Sequence, residues 1–478
     1  MTIKFGTDGW RAVIAEDFTF HNVRLVSQAV ADYINHELRT GSTPSVVVGY
    51  DTRFLSDRFA MTVASVMAAN HIHVWLTRAD APTPAVSYNV MAKGATAGVM
   101  ITASHNPPRY NGYKLKSAAG SSASPEDCAK VENYLAKLQT EGGKIAEMDY
   151  EEAIRKDLIT RFDPAWLYFE HLQNLIDMDT ISRSEAHAIA DPMFGSGRGA
   201  LTAILARTRV KIEEIRGYMN PGFQGIHPEP IGQYLNMLSA TVRREQADIG
   251  LATDGDADRI GAMDAQGEFV DPHMIMALAL RHFVEKRGLT GAVVKTVSTT
   301  AMLNRIAHKH NLPIHETPVG FNHIADLMIK DDVLIGGEES GGISIKGHIP
   351  EGDGILMALV LLELMGAAGA PLHAIIADTQ KQFGPTFYRR IDLRLRTPVP
   401  KKEMVKRLSE GAPASMGGQT VASVQTTDGV KYILADESWL LIRPSGTEPV
   451  LRVYAEGTSP DLVEAMLAVG QNLAEVGA

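Results

Sequence analysis

Cysteine is almost absent from this sequence: Cys128 is the single one in 478 residues. One thiol closes no intrachain disulfide and builds no cysteine metal cluster, so a reducing, cytoplasmic setting is the expectation. An excess of cations is also missing. The formal net charge is −10, which argues against nucleic-acid partners, because an acidic chain repels phosphate. A local basic pocket for a small anion is still compatible with that balance. No apolar run reaches the ~20 residues of a membrane span. The most apolar stretch, Ile355 to Ala370, carries Glu363 in its middle and reads as a buried helix. The first residues lack the apolar core of a signal peptide. There is no Walker A sequence, so a P-loop kinase is not supported, and no G-x-S-x-G elbow surrounds a serine.

What is present is a folded chain, 45% hydrophobic and 21% charged. At ~150 residues per domain its length suggests about three domains. Short apolar runs alternate with helical patterns. Ser45 to Tyr50, Val74 to Leu76 and Ala97 to Ile101 read as strands, with a helix from Arg58 to Asn70 between the first two. The pattern restarts with strands at Ala188–Ala190 and Ile249–Thr253 and a helix from Arg198 to Ala206. It restarts again with strands at Ala292–Val294 and Val333–Ile335 and a helix from Gly320 to Met328. Continuous apolar strands separated by helices predict βαβ units and mostly parallel sheets. Beyond about Arg389, three closely spaced strands at 432–434, 439–442 and 451–454 predict an antiparallel sheet closed by a helix from Pro460 to Leu473. The expected fold is therefore three α/β domains with mixed, mostly parallel sheets and a C-terminal α+β domain around a central cleft. The boundaries are set at 1–155, 156–267, 268–384 and 385–478.

Four segments, each after an expected strand, carry reactive residue types. Thr102-Ala103-Ser104-His105-Asn106-Pro107 pairs a serine with a histidine, and Lys114 lies a short way on. An Asn-Pro turn is the plain alternative. Asp254-Gly255-Asp256-Ala257-Asp258-Arg259 crowds three carboxylates, which repel unless a cation sits among them. Carboxylate oxygens favour hard divalent ions such as Mg2+. An EF-hand is excluded, because its sixth and twelfth positions would be Arg259 and Ala265. Gly336-Gly337-Glu338-Glu339-Ser340-Gly341-Gly342 suits recognition of hydroxyl groups, or is only a glycine-rich turn. Arg443-Pro444-Ser445-Gly446-Thr447 has the composition of a phosphate nest. A further segment, Gly195-Ser196-Gly197-Arg198-Gly199-Ala200 with Glu213 beyond it, fits a loose dinucleotide fingerprint. A tight strand-to-helix turn explains it better than NAD does.

Taken in order with the opening Phe5-Gly6-Thr7-Asp8-Gly9-Trp10-Arg11, these segments resemble the α-D-phosphohexomutase superfamily, and in particular its bacterial phosphoglucomutase/phosphomannomutase members. The resemblance covers nearly the whole chain and sharpens three domains to four. It implies that Ser104 carries a phosphoryl group. It implies that Asp254, Asp256 and Asp258 bind Mg2+ together with an oxygen of the serine phosphate. Glu338 and Ser340 then meet sugar hydroxyls, and Arg443, Ser445, Gly446 and Thr447 hold the non-reacting phosphate. Arg11, His105, Lys114 and Arg259 line the cleft, with His105 and Lys114 as candidates for proton transfer. Gly320, in Thr317-Pro318-Val319-Gly320, belongs to a loop that helps choose substrate orientation, and Lys295 is a further cleft residue. The implied reaction exchanges hexose 1-phosphate and hexose 6-phosphate through a hexose 1,6-bisphosphate, which also serves as primer. Small sugar phosphates are the expected partners, and oligomeric state is not legible. Two departures bear on substrate. Gly342 stands where many phosphomannomutase-type and phosphoglucosamine-type members have histidine, and Asn322-His323 stands where a basic residue is common. Glucose phosphates are thus favoured, mannose phosphates second and glucosamine phosphates third. A sugar-phosphate-binding protein without turnover is the rival from another class.

Overall fold

The computed structural model describes residues 3–6, 8–39, 41, 43–394, 400–444 and 450–475. Four sheets follow one another along the chain. The first is built from β1 (Trp10–Val13), β2 (Ser45–Tyr50), β3 (His73–Thr77), β4 (Ala97–Ile101), β5 (Tyr110–Lys116) and β6 (Ile159–Phe162), in the order β1-β5-β4-β2-β3-β6. The second uses β7 (His187–Asp191), β8 (Lys211–Glu214), β9 (Ile249–Thr253), β10 (Ile260–Asp264) and β11 (Phe269–Val270), in the order β11-β10-β9-β7-β8. The third uses β12 (Ala292–Thr296), β13 (Ile314–Thr317), β14 (Val333–Gly337) and β15 (Ile343–Ile345), in the order β13-β12-β14-β15. The last is wholly antiparallel: β16 (Phe387–Arg394), β17 (Ser415–Met416), β18 (Gln419–Gln425), β19 (Val430–Leu434), β20 (Trp439–Pro444) and β21 (Val450–Gly457), in the order β16-β21-β20-β19-β18-β17.

The first three sheets are mixed in one recurrent way. A strand with one parallel neighbour turns back into an antiparallel one: β4 into β5, β9 into β10, β14 into β15. Each of these three connections is one of the segments singled out in the sequence; Arg443, of the fourth segment, lies near the end of β20, which pairs antiparallel with β21. The three α/β domains, which share no visible residue repeat, thus share the place of these loops. The sheets also run past the expected boundaries. β6 joins the first sheet beyond residue 155, and β11 joins the second beyond 267, because strand pairing follows registers that local pattern does not reveal.

The cores follow from the same elements. One continuous apolar cluster runs from Ala85 and Tyr168 through the second sheet and into the third domain as far as Phe383. The first and fourth domains have separate cores. The apolar stretch expected as a buried helix is the helix Gly354–Ala368, buried from Gly354 through Met365. Asp353 caps its start by accepting the Leu356 amide at 2.8 Å, and Gly369, at φ 59°, ends it in the left-handed region. Glu363 is tolerated inside because His282 Nε2 lies 2.8 Å from its carboxylate and the Asp177 amide donates to it at 3.1 Å. Among the described residues no single helix is long and apolar enough to cross a membrane.

Candidate active site

The loop after β4 places Ser104 in the left-handed region, at φ 52°, a conformation that a non-glycine residue holds only when its surroundings fix it. The fixing group is Arg53. Its buried guanidinium donates to the carbonyls of Ser104 (2.6 Å), Asn106 (2.7 Å), Pro107 (2.9 Å) and Tyr110 (3.0 Å). Asp51 backs it at 3.1 Å and also accepts from Thr102 and Ser56. Burial pushes the Asp51 carboxyl up to about 6 in spite of the arginine. Arg11, on β1, donates to Asn106 Oδ1 at 2.7 Å and to Asp8 Oδ2 at 3.0 Å. Neither Asp51 nor Arg53 was singled out in the sequence. A signal was there, since Asp51-Thr52-Arg53 follows the carboxyl end of β2, where ligand loops of parallel sheets lie.

Held this way, Ser104 is buried and its Oγ donates to Asp254 Oδ2 at 2.8 Å. His105 Nδ1 lies 3.3 Å from the same Oγ. Burial, then the cations Arg259, Arg11, Arg53 and Lys114, hold the His105 pKa well below its usual value, so its ring is neutral.

The metal loop closes over the serine loop. Asp254, Asp256 and Asp258 offer oxygens that all lie within 4.8 Å of one another, and all three residues are buried. Burial and then the neighbouring Asp258 and Asp256 raise the Asp254 pKa well above the carboxylate range. Asp256 Oδ1 and Asp258 Oδ1 have no hydrogen-bond partner. Hard oxygen donors, two of them unpartnered and buried, fit a divalent cation such as Mg2+. Thr83, from the first domain, holds Asp256 by its hydroxyl (2.6 Å) and its amide (2.8 Å). Lys114 Nζ, on β5, meets Asp8 Oδ2 at 2.8 Å and Asp256 Oδ2 and Asp258 Oδ2 at 2.9 Å each. Burial opposes its charge, but Asp256, Asp258 and Asp8 outweigh that and raise its pKa well above the usual value. In this arrangement Lys114 neutralises charge at the carboxylates, and the neutral imidazole of His105 stands beside the serine hydroxyl.

The dinucleotide-like segment has a different explanation. A Cβ on Gly195 would stand 2.6 Å from the Asp254 carbonyl oxygen and 2.7 Å from that of Gly255. The Ser196 amide donates to the Gly255 carbonyl at 3.0 Å. These glycines let the turn pack against the metal loop. The helix behind them begins at Ala200, later than the expected Arg198, and Arg198 pairs with Asp80 of the first domain.

Arg259 leaves the metal loop toward the sugar loop. Its amide donates to Asp254 Oδ1 at 3.2 Å, and its backbone bridges antiparallel to Gly342. Glu338 Oε1 accepts the Gly320 amide at 2.8 Å. Burial and then the Glu339 carboxylate push Glu338 up to about 7. Ser340 is half-buried in the same loop. Arg443, at the end of β20, donates from Nε to Asp428 Oδ2 at 2.6 Å. Ser445, Gly446 and Thr447 lie outside the described residues. Lys295 is buried in β12 opposite Gly337 of β14; its Nζ donates to the Thr299 and Thr300 carbonyls and lies 3.4 Å from Glu316. Burial and then Lys431 lower its pKa to about 8.

Comparison with known proteins gives a consistent result. Profiles described as phosphoglucomutase/phosphomannomutase match in four parts: alpha/beta/alpha domain I over 2–142, domain II over 167–267, domain III over 271–383, and the C-terminal domain over 395–469. A phosphoglucomutase/phosphomannomutase of Thermococcus kodakarensis is 28% identical, with 98% of each chain covered. A "probable phosphoglucosamine mutase" of Pyrococcus abyssi is 30% identical over 98% of this chain and 97% of its own. The crystal structure of a Thermus thermophilus protein, described provisionally as a phosphomannomutase, superposes with a TM-score of 0.86 at 33% identity, covering 99% of both chains.

Proposed function

The chain belongs to the phosphoglucomutase/phosphomannomutase family and is a phosphohexomutase, and from that premise we propose that it exchanges hexose 1-phosphate and hexose 6-phosphate through a phosphoserine at Ser104, with glucose phosphates preferred. The observation that carries this reading is the contact of Ser104 Oγ with Asp254 Oδ2 at 2.8 Å, beside a buried carboxylate triad and the cations Lys114 and Arg259. Phosphoryl transfer asks for positioning and neutralised charge more than for covalent chemistry. A divalent cation held by Asp254, Asp256 and Asp258 with a serine-phosphate oxygen would supply positive charge at the transferring group.

The rest falls to side chains of this chain. Arg53 holds the loop in which Oγ faces Asp254. A free hydroxyl of the hexose monophosphate attacks the serine phosphate; the P–Oγ bond breaks and the hydroxyl proton passes to neutral His105 Nδ1. The resulting 1,6-bisphosphate turns over in the cleft. Glu338 and Ser340 hold sugar hydroxyls in either orientation, and Arg443 grips the phosphate that does not react. The other phosphoryl group then returns to Ser104 Oγ while His105 gives its proton back to the released hydroxyl.

The test is direct. Purified protein should carry one phosphoryl group on Ser104, read by intact mass and peptide mapping. Ser104→Ala should lower interconversion by at least ~10³-fold; full activity in that variant would overturn the reading. Coupled assays with glucose, mannose and glucosamine 1-phosphates, each with and without Mg2+, should rank glucose first. Binding without product in the presence of Mg2+ and bisphosphate primer would favour a non-catalytic binding protein instead.

A further inference from the structure

The two loops expected to grip the substrate's far end belong to different domains, and one carboxylate joins them. Asp428 lies in the turn between β18 and β19 and is 5% exposed. Its Oδ2 accepts from Arg443 Nε at 2.6 Å, within the fourth domain, and from the Val319 amide at 3.2 Å, across to the third. Its Oδ1 accepts from Lys401 Nζ at 2.6 Å. The next amide along, that of Gly320, donates to Glu338 Oε1 at 2.8 Å. Consecutive peptide groups therefore link the carboxylate behind the arginine to the carboxylate of the sugar loop.

Glycine conformation supports both ends of this connection. Gly320 sits at φ 134°, where an L side chain is strained. Gly429, directly after Asp428, sits at φ 91°, and a Cβ there would stand 2.4 Å from the Ile442 carbonyl oxygen. The turn is thereby pressed onto the strand that carries Arg443, and Asp428 has little room to choose other partners. An arginine bound through Nε has its terminal nitrogens directed away from that partner, in the fork that suits a phosphate.

We propose that Asp428 is a positioning residue: it aims Arg443 at the substrate phosphate and, through the Val319 and Gly320 amides, ties that aim to the seating of Glu338. The proposal deepens the mutase reading and rests on it for the identity of the substrate. Docking of the fourth domain on the third then orients the phosphate grip and the sugar grip together. A domain that docks without Asp428 would leave Arg443 free to wander and the Val319 amide without its acceptor.

The test compares Asp428→Asn with Lys401→Met. The lysine variant removes a partner of the same carboxylate but neither of the two bonds that matter. In Asp428→Asn, KM for glucose 1-phosphate should rise about tenfold or more, the loss of one charge-assisted hydrogen bond, and rise by more than kcat falls. Phosphoserine content should stay as in the parent. Amide exchange over residues 317–324 should speed up by about tenfold, following the lost bond. Lys401→Met should change neither. If Asp428→Asn does not fold, Asp428→Glu, which keeps the charge but displaces it by a methylene, should show the same pattern. Unchanged KM, unchanged exchange, or an equal effect in Lys401→Met overturns the proposal. If the parent protein interconverts none of the hexose phosphates, the mutase reading falls separately. Calorimetric affinity for glucose 1-phosphate in the same variants then decides on Asp428: weakened only in Asp428→Asn supports it, any other result overturns it.

Discussion

At the scale of single residues, the site depends on ionisable groups whose surroundings have moved them. Glu338 is the most accessible to experiment. Its pKa in the folded chain, pushed up to about 7, exceeds the ~4.3 of a free glutamate. The folded state therefore holds a proton that the unfolded chain has already lost at neutral pH. The group's contribution to stability is full below the ordinary glutamate pKa and declines as pH rises toward 7. Function should run the other way, since the ionised carboxylate accepts hydrogen bonds from sugar hydroxyls and the protonated one does so less well. We expect kcat/KM for the sugar phosphate to climb with pH through a limb near 7, and Glu338→Gln to lack that limb; equal profiles would refute the assignment. The residues legible in the sequence were those lying within a few positions of one another, such as Ser104 with His105 or the three aspartates. Arg53, Thr83 and Asp428 were not, because each acts on a group far along the chain: Thr83 on Asp256 and Asp428 on Val319.

At the scale of elements, the apolar parallel strands β2, β4, β9, β12 and β14 were plain from their composition, because strands buried on both faces read as continuous apolar runs. β5 was not. It carries Lys114 and Lys116, both buried, and a strand with two lysines does not look like the inside of a sheet. Its charges are met by Asp256 and Asp258 of the second domain and Glu351 of the third, partners that no local pattern discloses. The glycine turn at Gly195 was legible as a tight strand-to-helix turn, but its packing partner, the loop of Asp254 and Gly255, was not. Its packing gives a prediction: Gly195→Ala forces a methyl group against two backbone oxygens of the metal loop and should weaken Mg2+ affinity about tenfold or more. Calorimetric Mg2+ titration beside circular dichroism checks this, and unchanged affinity in a folded variant would count against the packing argument.

At the scale of the whole molecule, the first three domains are tied by buried polar contacts: Thr83 to Asp256, Lys116 to Glu351, and Tyr168 to Asp353 at 2.7 Å. The fourth domain, with its own core, meets the third through a small buried apolar cluster of Val297 and Ala301 with Trp439, Leu441 and Tyr454, and through the Asp428–Val319 bond, the Lys431–Glu316 pair and a bond from the Ala301 amide to Glu456. A cavity of about 140 Å³ at that seam is lined by His273, Tyr388 and Glu456 among others. Such a joint suits a domain that opens and closes over substrate. Glucose 1,6-bisphosphate with Mg2+ should therefore slow amide exchange along the Val319 loop and contract the scattering profile; identical exchange and scattering with and without ligand would argue for a fixed fourth domain. The core shared by the second and third domains has a consequence for synthesis on the ribosome. The first sheet is complete once β6 has emerged, but the shared cluster needs residues from Tyr168 to Phe383. That is roughly 200 residues, or about 10–40 s of translation at about 5–20 residues per second, during which apolar faces of the second domain wait for the helix Gly354–Ala368. The nascent chain is most exposed to misassembly in that interval, and holding chaperones have their clearest task there.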